Sequence, residues 1–168
     1  MRQIKIIKQT NTNDCGKAAI AMILKYYGTD LNYSEIESSL IYGLTIQEIL
    51  DVLEKYNFEA KAVKLTSEEI LSDYTLPCIA LLELEDDVNH YVVIYRIKKE
   101  LLYIADPIKG KYKLNISEFM KLFSGVMILT APDDNYREIK TSLKSFIDFF
   151  KKFVLFNDYV DVYTAKQP

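Results

Sequence analysis

The chain of 168 residues is poor in the side chains that build metal sites and disulfide frameworks, with one histidine and two cysteines. Clustered metal ligands of the usual spacing are excluded by the single histidine, and Cys15 and Cys78 form no CxxC pair. The sequence therefore predicts no structural zinc and no cofactor. The lysine-rich amino terminus lacks the apolar core of a secretory signal, so both thiols are expected to be free in a reducing cytoplasm.

Two further absences limit the partners of the chain. There is no run of five or more basic residues and the net charge is −3, which argues against a nucleic-acid partner. There is also no run of eighteen apolar residues, so the sequence predicts no membrane-spanning helix. With 49% apolar and 27% charged residues, the composition is that of one globular domain whose core needs no disulfide.

The segment around Cys15 is the most informative part of what is present. A polar run, residues 9–14, precedes apolar residues at the three- and four-residue spacing of a buried helix face: Ala18, Ala19, Met22, Ile23 and Tyr26. The pattern predicts a helix that begins at Cys15, is capped by Asn13 or Asp14, and stops at Gly28. Helix amides and dipole favour a thiolate there, so Cys15 is a candidate nucleophile. The alternative is a small buried hydrophobic residue.

The chain divides into a helical half and a strand-rich half. Ser34 with Glu37, and Thr45 with Glu48, fit capping boxes that predict two more helices. Alternating or continuous apolar runs then predict strands over residues 58–62, 78–84, 90–97, 101–105, 111–116 and 125–131. A short helix capped by Ser117 and continuing through Phe123 is expected before the last strand. The order predicts an α+β domain in which an N-terminal helical layer packs against a C-terminal antiparallel sheet.

The break at residues 132–134 predicts that the domain covers residues 1–132 and that residues 133–168 form a linker or an amphipathic helical tail. Within this tail, Phe146 to Phe156 is mostly apolar but too short to span a bilayer. It would lie on a membrane surface, dock on a partner helix, or pack back on its own domain.

The single imidazole, His90, is the one histidine available as a general base near neutral pH. It opens one predicted strand, and Asp106 ends the next. Antiparallel hairpin geometry brings these two positions together, where a carboxylate can orient the ring and stabilise its charged form. A histidine at a strand end also often has a purely structural role.

Four separated pieces of the sequence form one pattern of order and spacing: Gln9; Asp14-Cys15-Gly16 with Ala18, Ala19, Met22 and Tyr27-Gly28; His90-Tyr91-Val92-Val93; and Asp106-Pro107 with Gly110. In this pattern the sequence from about Gln9 to Ala131 resembles the peptidase domain of bacteriocin-processing ABC transporters. The resemblance implies a papain-like cysteine peptidase that cuts precursors after a double-glycine leader, so that a bacteriocin or signalling peptide can be exported.

The resemblance also implies a role for each site residue. Cys15 would be the nucleophile, His90 the general base and acid, Asp106 the acid that orients the ring, and Gln9 an oxyanion-hole donor. These are the roles that acyl transfer by a thiol requires.

The partners implied in this way are a precursor peptide with an amphipathic leader helix and the membrane and ATPase domains of an ABC transporter. The location implied is the cytoplasmic face of the bacterial inner membrane. Exposed residues such as Tyr42 or Leu44 are candidates for gripping the leader. Because the chain has no glycine-rich phosphate loop, we expect an excised or truncated peptidase domain or a stand-alone relative.

Two other functions compete with the leader peptidase. A non-catalytic, peptidase-like docking domain would bind an export substrate, but it would be expected to lose the nucleophile, and Cys15 is present. A different acyl transfer on a peptide or amide would use the same residues, and only the substrate distinguishes it.

Overall fold

In the computed structural model, which describes residues 3–29, 31, 33–36, 43–84 and 88–136, helices pack against a six-stranded sheet. The α-helices of this part of the chain are Cys15–Tyr27 (α1), Ile46–Lys55 (α2) and Ile116–Met120 (α3), with 3₁₀ turns at Tyr33–Glu35 and Glu69–Leu71. The strands are Phe58–Lys64 (β1), Cys78–Glu83 (β2), Asn89–Lys98 (β3), Leu101–Asp106 (β4), Gly110–Asn115 (β5) and Phe123–Pro132 (β6). The α+β class predicted from the sequence is confirmed.

The strands are all antiparallel and lie in the order β1-β6-β2-β3-β4-β5. Strands β2 to β5 pair with their neighbours in the chain, as the hairpin prediction required. The last strand, β6, runs between β1 and β2. In the β3–β4 pair, Val93 lies opposite Ala105, so the start of β3 and the end of β4 lie next to each other at the same end of the sheet.

Helix α1 is buried along most of its length because its small and aliphatic side chains let it lie close to the sheet. It ends as predicted at Gly28, whose φ of 112° is left-handed and whose amide donates to the carbonyl of Leu24. Asp14 occupies the N-cap position, but its side chain bonds no amide of the first turn. It accepts instead from Asn11 Nδ2 at 2.8 Å and pairs with Lys17 at 3.5 Å.

Helix α2 begins with the capping box predicted from Thr45 and Glu48. The Glu48 amide donates to Thr45 Oγ1 at 3.2 Å, and the Thr45 amide donates to Glu48 Oε2 at 2.8 Å. Near the other predicted box, residues 33–35 form a 3₁₀ turn. Glu37 lies outside the described residues.

The predicted cap of α3 is wrong. The N-cap is Asn115 and not Ser117, because Glu118 stands three residues after Asn115 and completes a reciprocal capping box. The helix also ends at Met120, before the expected Phe123, since Phe123 already pairs with Leu82 of β2 as the start of β6.

Two glycines let the segment before α2 pack against the start of α1. A Cβ atom on Gly16 would lie 3.3 Å from side-chain atoms of both Leu44 and Tyr91. Gly43 has a φ of 99°, and a Cβ there would lie 2.6 Å from the carbonyl oxygen of Asn13. The loop that leads into Cys15 is therefore backed by close backbone contact.

The packed region extends to Tyr136, beyond the end of β6. The Tyr136 ring packs edge to face against Phe58, and its hydroxyl donates to the carbonyl of Tyr27 at 3.0 Å. The boundary at residue 132 stays a prediction. The expected tail helix around Phe146 to Phe156 lies outside the described residues.

Candidate active site

Three side chains predicted to form the site lie together. Cys15 is the first residue of α1, His90 the second residue of β3 and Asp106 the last residue of β4. His90 Nε2 lies 3.0 Å from Asp106 Oδ1, and the Cys15 side chain is near enough to help raise the His90 pKa. Because Nε2 is bonded to Asp106, Nδ1 is the ring nitrogen available to exchange a proton with Cys15. At this end of the sheet, the imidazole of His90 therefore lies between the Asp106 carboxylate and the Cys15 thiol.

Both oxygens of the Asp106 carboxylate are held in place. Besides the bond with His90, Oδ1 accepts from the amides of Ile108 at 2.7 Å and Lys109 at 3.1 Å. Oδ2 accepts from the hydroxyl of Tyr112 at 3.3 Å. The sequence reasoning missed Tyr112. The β4–β5 register, which pairs Asp106 with Gly110, would have placed it two residues farther along the neighbouring strand.

The charges of the pair follow from these bonds. Burial alone would raise the Asp106 pKa, but the hydrogen bonds from His90 and the two turn amides outweigh it and hold this pKa below its usual range. Burial would lower the His90 pKa, but hydrogen bonds to Asp106 and Cys15 and their charges raise it to about 9. At neutral pH the site therefore contains an aspartate and an imidazolium.

We expect the His90 imidazole to titrate at a pKa of about 9 in the folded protein, above its ordinary 6.5. Since the chain has one histidine, its ring carbons give a single set of resonances, and NMR titration reads this value directly. Asp106→Asn removes the negative charge that helps to raise the pKa, so the variant is expected to titrate at a lower pH. A pKa at or below 6.5 in the unsubstituted protein would contradict the geometry.

The same shift predicts a direction for stability. The folded state binds the His90 proton more tightly than the unfolded state does, because its pKa is raised from 6.5 to about 9. The resulting contribution to the free energy of unfolding is complete below pH 6.5. It is lost as the pH rises through about 9.

Gln9, the predicted oxyanion donor, lies in the loop before α1 with its amide group engaged. Its Nε2 donates to the carbonyls of Asn11 and Thr12, both at 2.9 Å. Its Oε1 is buried and accepts no hydrogen bond from the described part of the chain. Both amide hydrogens are thus used inside the loop, so donation to an oxyanion requires exchange of one of them.

The loop that carries Gln9 is tied to the turn that follows Asp106. The backbone amide of Gln9 donates to the carbonyl of Pro107 at 3.2 Å, and Lys8 Nζ donates to the carbonyl of Ile108 at 2.9 Å. The segment preceding the thiol and the segment following the carboxylate are therefore joined directly.

The second thiol and one predicted leader contact lie in the core. Cys78 is fully buried in β2, its Sγ 3.4 Å from Met127 Sδ, and burial raises the pKa of its thiol. Leu44 is only 6% exposed, so the expectation that it offers an exposed leader-binding side chain is wrong. It packs against the start of α1, where Gly16 leaves room for it. Tyr42, the other candidate, lies outside the described residues.

Within the ranges that the structure describes, no three His, Cys, Asp or Glu side chains are grouped as metal ligands. In the same ranges, no helix has the length and apolarity needed to cross a bilayer.

The fold, with a thiol on the helical layer facing an imidazole on the sheet, is that of a papain-like cysteine peptidase. The sequence model of the Peptidase C39 family matches residues 3–135, and the chain belongs to this family of cysteine peptidases. The chain is 39% identical over 150 residues to the lactococcin-G-processing and transport ATP-binding protein LagD of Lactococcus lactis subsp. lactis. That match covers 87% of this chain but 21% of LagD, so the chain spans about a fifth of such relatives.

Solved structures agree with this assignment. A double-glycine-motif protease from an AMS/PCAT transporter, crystallised in complex with the leader peptide, superposes with a TM-score of 0.71 at 28% identity. The match covers 78% of this chain and 93% of that one. The peptidase domain of Streptococcus ComA, a bifunctional ABC transporter involved in quorum sensing, gives a TM-score of 0.71 at 26% identity, covering 78% of this chain and all of the other.

Proposed function

We propose that this chain is an endopeptidase that cleaves bacteriocin or signalling-peptide precursors after a double-glycine leader. The observation that carries the proposal is the buried contact of Cys15, His90 and Asp106, which are 7%, 5% and 1% exposed. A substrate must bring the cleaved bond up to a sulfur that is largely enclosed by its neighbours. Glycine at the cleaved bond fits this limit. The similarity to LagD, a lactococcin-G-processing protein, and to a double-glycine-motif protease supports the same substrate class.

The mechanism follows from acyl transfer chemistry. The Cys15 thiolate, paired with the His90 imidazolium, attacks the carbonyl carbon of the second leader glycine. The side chain of Asp14 does not cap the first turn of α1. The backbone amide of Cys15 and the side-chain amide of Gln9 then donate to the oxyanion. His90 then gives its proton to the leaving amine as the carbon–nitrogen bond breaks, and a thioester remains.

The second half of the reaction reverses the role of His90. Now neutral, the ring takes a proton from a water molecule as that water attacks the thioester carbonyl. The carbon–sulfur bond breaks, the leader leaves with a new carboxylate, and the proton held by His90 restores the imidazolium–thiolate pair. Asp106 keeps the ring oriented and its charged form stable throughout.

The same proposal covers the partners. The precursor would be bound through an amphipathic leader helix whose spaced apolar side chains are recognised on the peptidase surface. The membrane and ATPase domains of an ABC transporter would export the product, with the peptidase at the cytoplasmic face of the membrane. A docking domain that only binds the precursor would not need the imidazole held between the thiol and the carboxylate.

The experiment is to incubate the chain with a synthetic precursor that carries a leader helix and a double glycine, and to read the products by mass spectrometry. We expect one cut, after the second glycine. A matched precursor with valine in place of that glycine is expected to be cut at least about 100-fold more slowly, since a branched side chain must then fit beside the enclosed sulfur. Equal cleavage of both precursors, or products from other positions, would reject the proposal.

A further inference from the structure

Three large hydrophobic side chains are strongly exposed in the described part of the chain. They are Leu71 at 45%, Val88 at 51% and Ile108 at 51%. Single exposed hydrophobic residues are ordinary on protein surfaces. The positions of two of them are less ordinary, because Val88 comes two residues before His90 and Ile108 two residues after Asp106. An apolar side chain thus stands on each segment that holds the catalytic pair.

The backbone of Ile108 is fixed relative to the site. Its amide donates to Asp106 Oδ1 at 2.7 Å, the same oxygen that lies 3.0 Å from His90 Nε2. Its carbonyl accepts from Lys8 Nζ at 2.9 Å. With both backbone groups bonded, the exposed side chain projects from a turn that is fixed to the carboxylate bonded to the imidazole. A contact made there loses little conformational freedom.

The chemistry says which part of a substrate passes this place. During acylation the carbonyl carbon bonds to Cys15 sulfur, and the departing amine takes its proton from His90. The amine belongs to the first residue of the mature peptide, so the chain after the cleaved bond must leave on the His90 side. Residues of the leader then lie on the opposite side of the sulfur.

We infer that Ile108, assisted by Val88, forms an apolar subsite that contacts the first side chain of the mature peptide and favours a hydrophobic residue there. The inference rests on the proposed function and adds a preference on the product side of the cleaved bond. Ile108 and Val88 are specificity-determining residues in this assignment.

The test uses two double-glycine precursors that differ only in the first mature residue, leucine or asparagine. These residues are similar in size and neutral, so the nearby Lys8 charge does not separate them. The unsubstituted protein is expected to cleave the leucine precursor with a kcat/KM roughly five- to tenfold higher, as partial burial of one aliphatic group allows. Ile108→Asn is expected to reduce this ratio to below about two, and Val88→Asn to reduce it less.

Two further variants serve as controls. Leu71→Asn changes an equally exposed residue outside the site and should keep the full preference, as should Ile108→Leu, which stays apolar. An unsubstituted protein that cuts both precursors equally, or an Ile108→Asn variant with the full preference, would overturn the inference and leave the proposed function standing. Failure to cut either precursor would reject both.

Discussion

Cys15→Ala is expected to abolish precursor cleavage, lowering kcat/KM by at least about 10⁴-fold, because no other group can form the thioester. The substitution removes one sulfur from the first turn of α1 and introduces no larger atom into the packed site. Folding should therefore be retained. Mass spectrometry of a double-glycine precursor after long incubation sets the limit of residual cleavage, and circular dichroism verifies the fold.

Cys78→Ala is the matched control for this prediction. Both thiols are buried, but Cys78 lies in β2, where its sulfur contacts Met127. In the described part of the chain it has no hydrogen bond to Cys15, His90 or Asp106. The variant is expected to cleave the precursor at close to the normal rate, with some loss of thermal stability from the small cavity. Cleavage that survives in Cys15→Ala, or that disappears only in Cys78→Ala, would refute the assignment of the nucleophile.

His90→Ala is expected to lower kcat by about 10³- to 10⁴-fold. The variant loses both the positive charge beside the sulfur and the proton donor for the leaving amine. KM should change much less than kcat, because the imidazole acts on the reacting bond. Steady-state kinetics on the leucine precursor separates the two parameters.

Asp106→Asn provides a graded comparison for His90→Ala. Its side-chain oxygen can still accept from His90, so orientation is partly kept while the negative charge is lost. We expect a smaller fall in kcat than in His90→Ala, and an alkaline limb of the pH profile that moves to lower pH with the His90 pKa. A His90→Ala variant that keeps kcat within tenfold of normal would show that another group carries the proton.

Features encoded by residues close in sequence could be predicted. The Thr45–Glu48 capping box and the Gly28 stop each depend on groups within one helical turn, and both are present as expected. The His90–Asp106 contact could also be foreseen across sixteen residues, since one tight hairpin fixes which ends of two strands meet.

What could not be predicted depends on choices between similar local signals or on distant pairing. Asn115 and Ser117 are both good caps, and the reciprocal bond from Glu118 decides between them. The insertion of β6 between β1 and β2 joins residues far apart in the chain, and nothing local specifies it. The hydrogen bonds of the Gln9 side-chain amide could not be predicted, because they depend on where the carbonyls of Asn11 and Thr12 lie in the folded loop.

The link between the loop of Gln9 and the turn after Asp106 has a consequence for how the cleft can move. In a two-layer peptidase the groove would widen by sliding the helices away from the sheet, parting sulfur from imidazole. Here the hydrogen bonds from Gln9 to Pro107 and from Lys8 to Ile108 connect the segment before α1 to the turn after β4. Both bonds would have to break before the helices could slide away from the sheet, so they favour a constant distance between the sulfur and the imidazole.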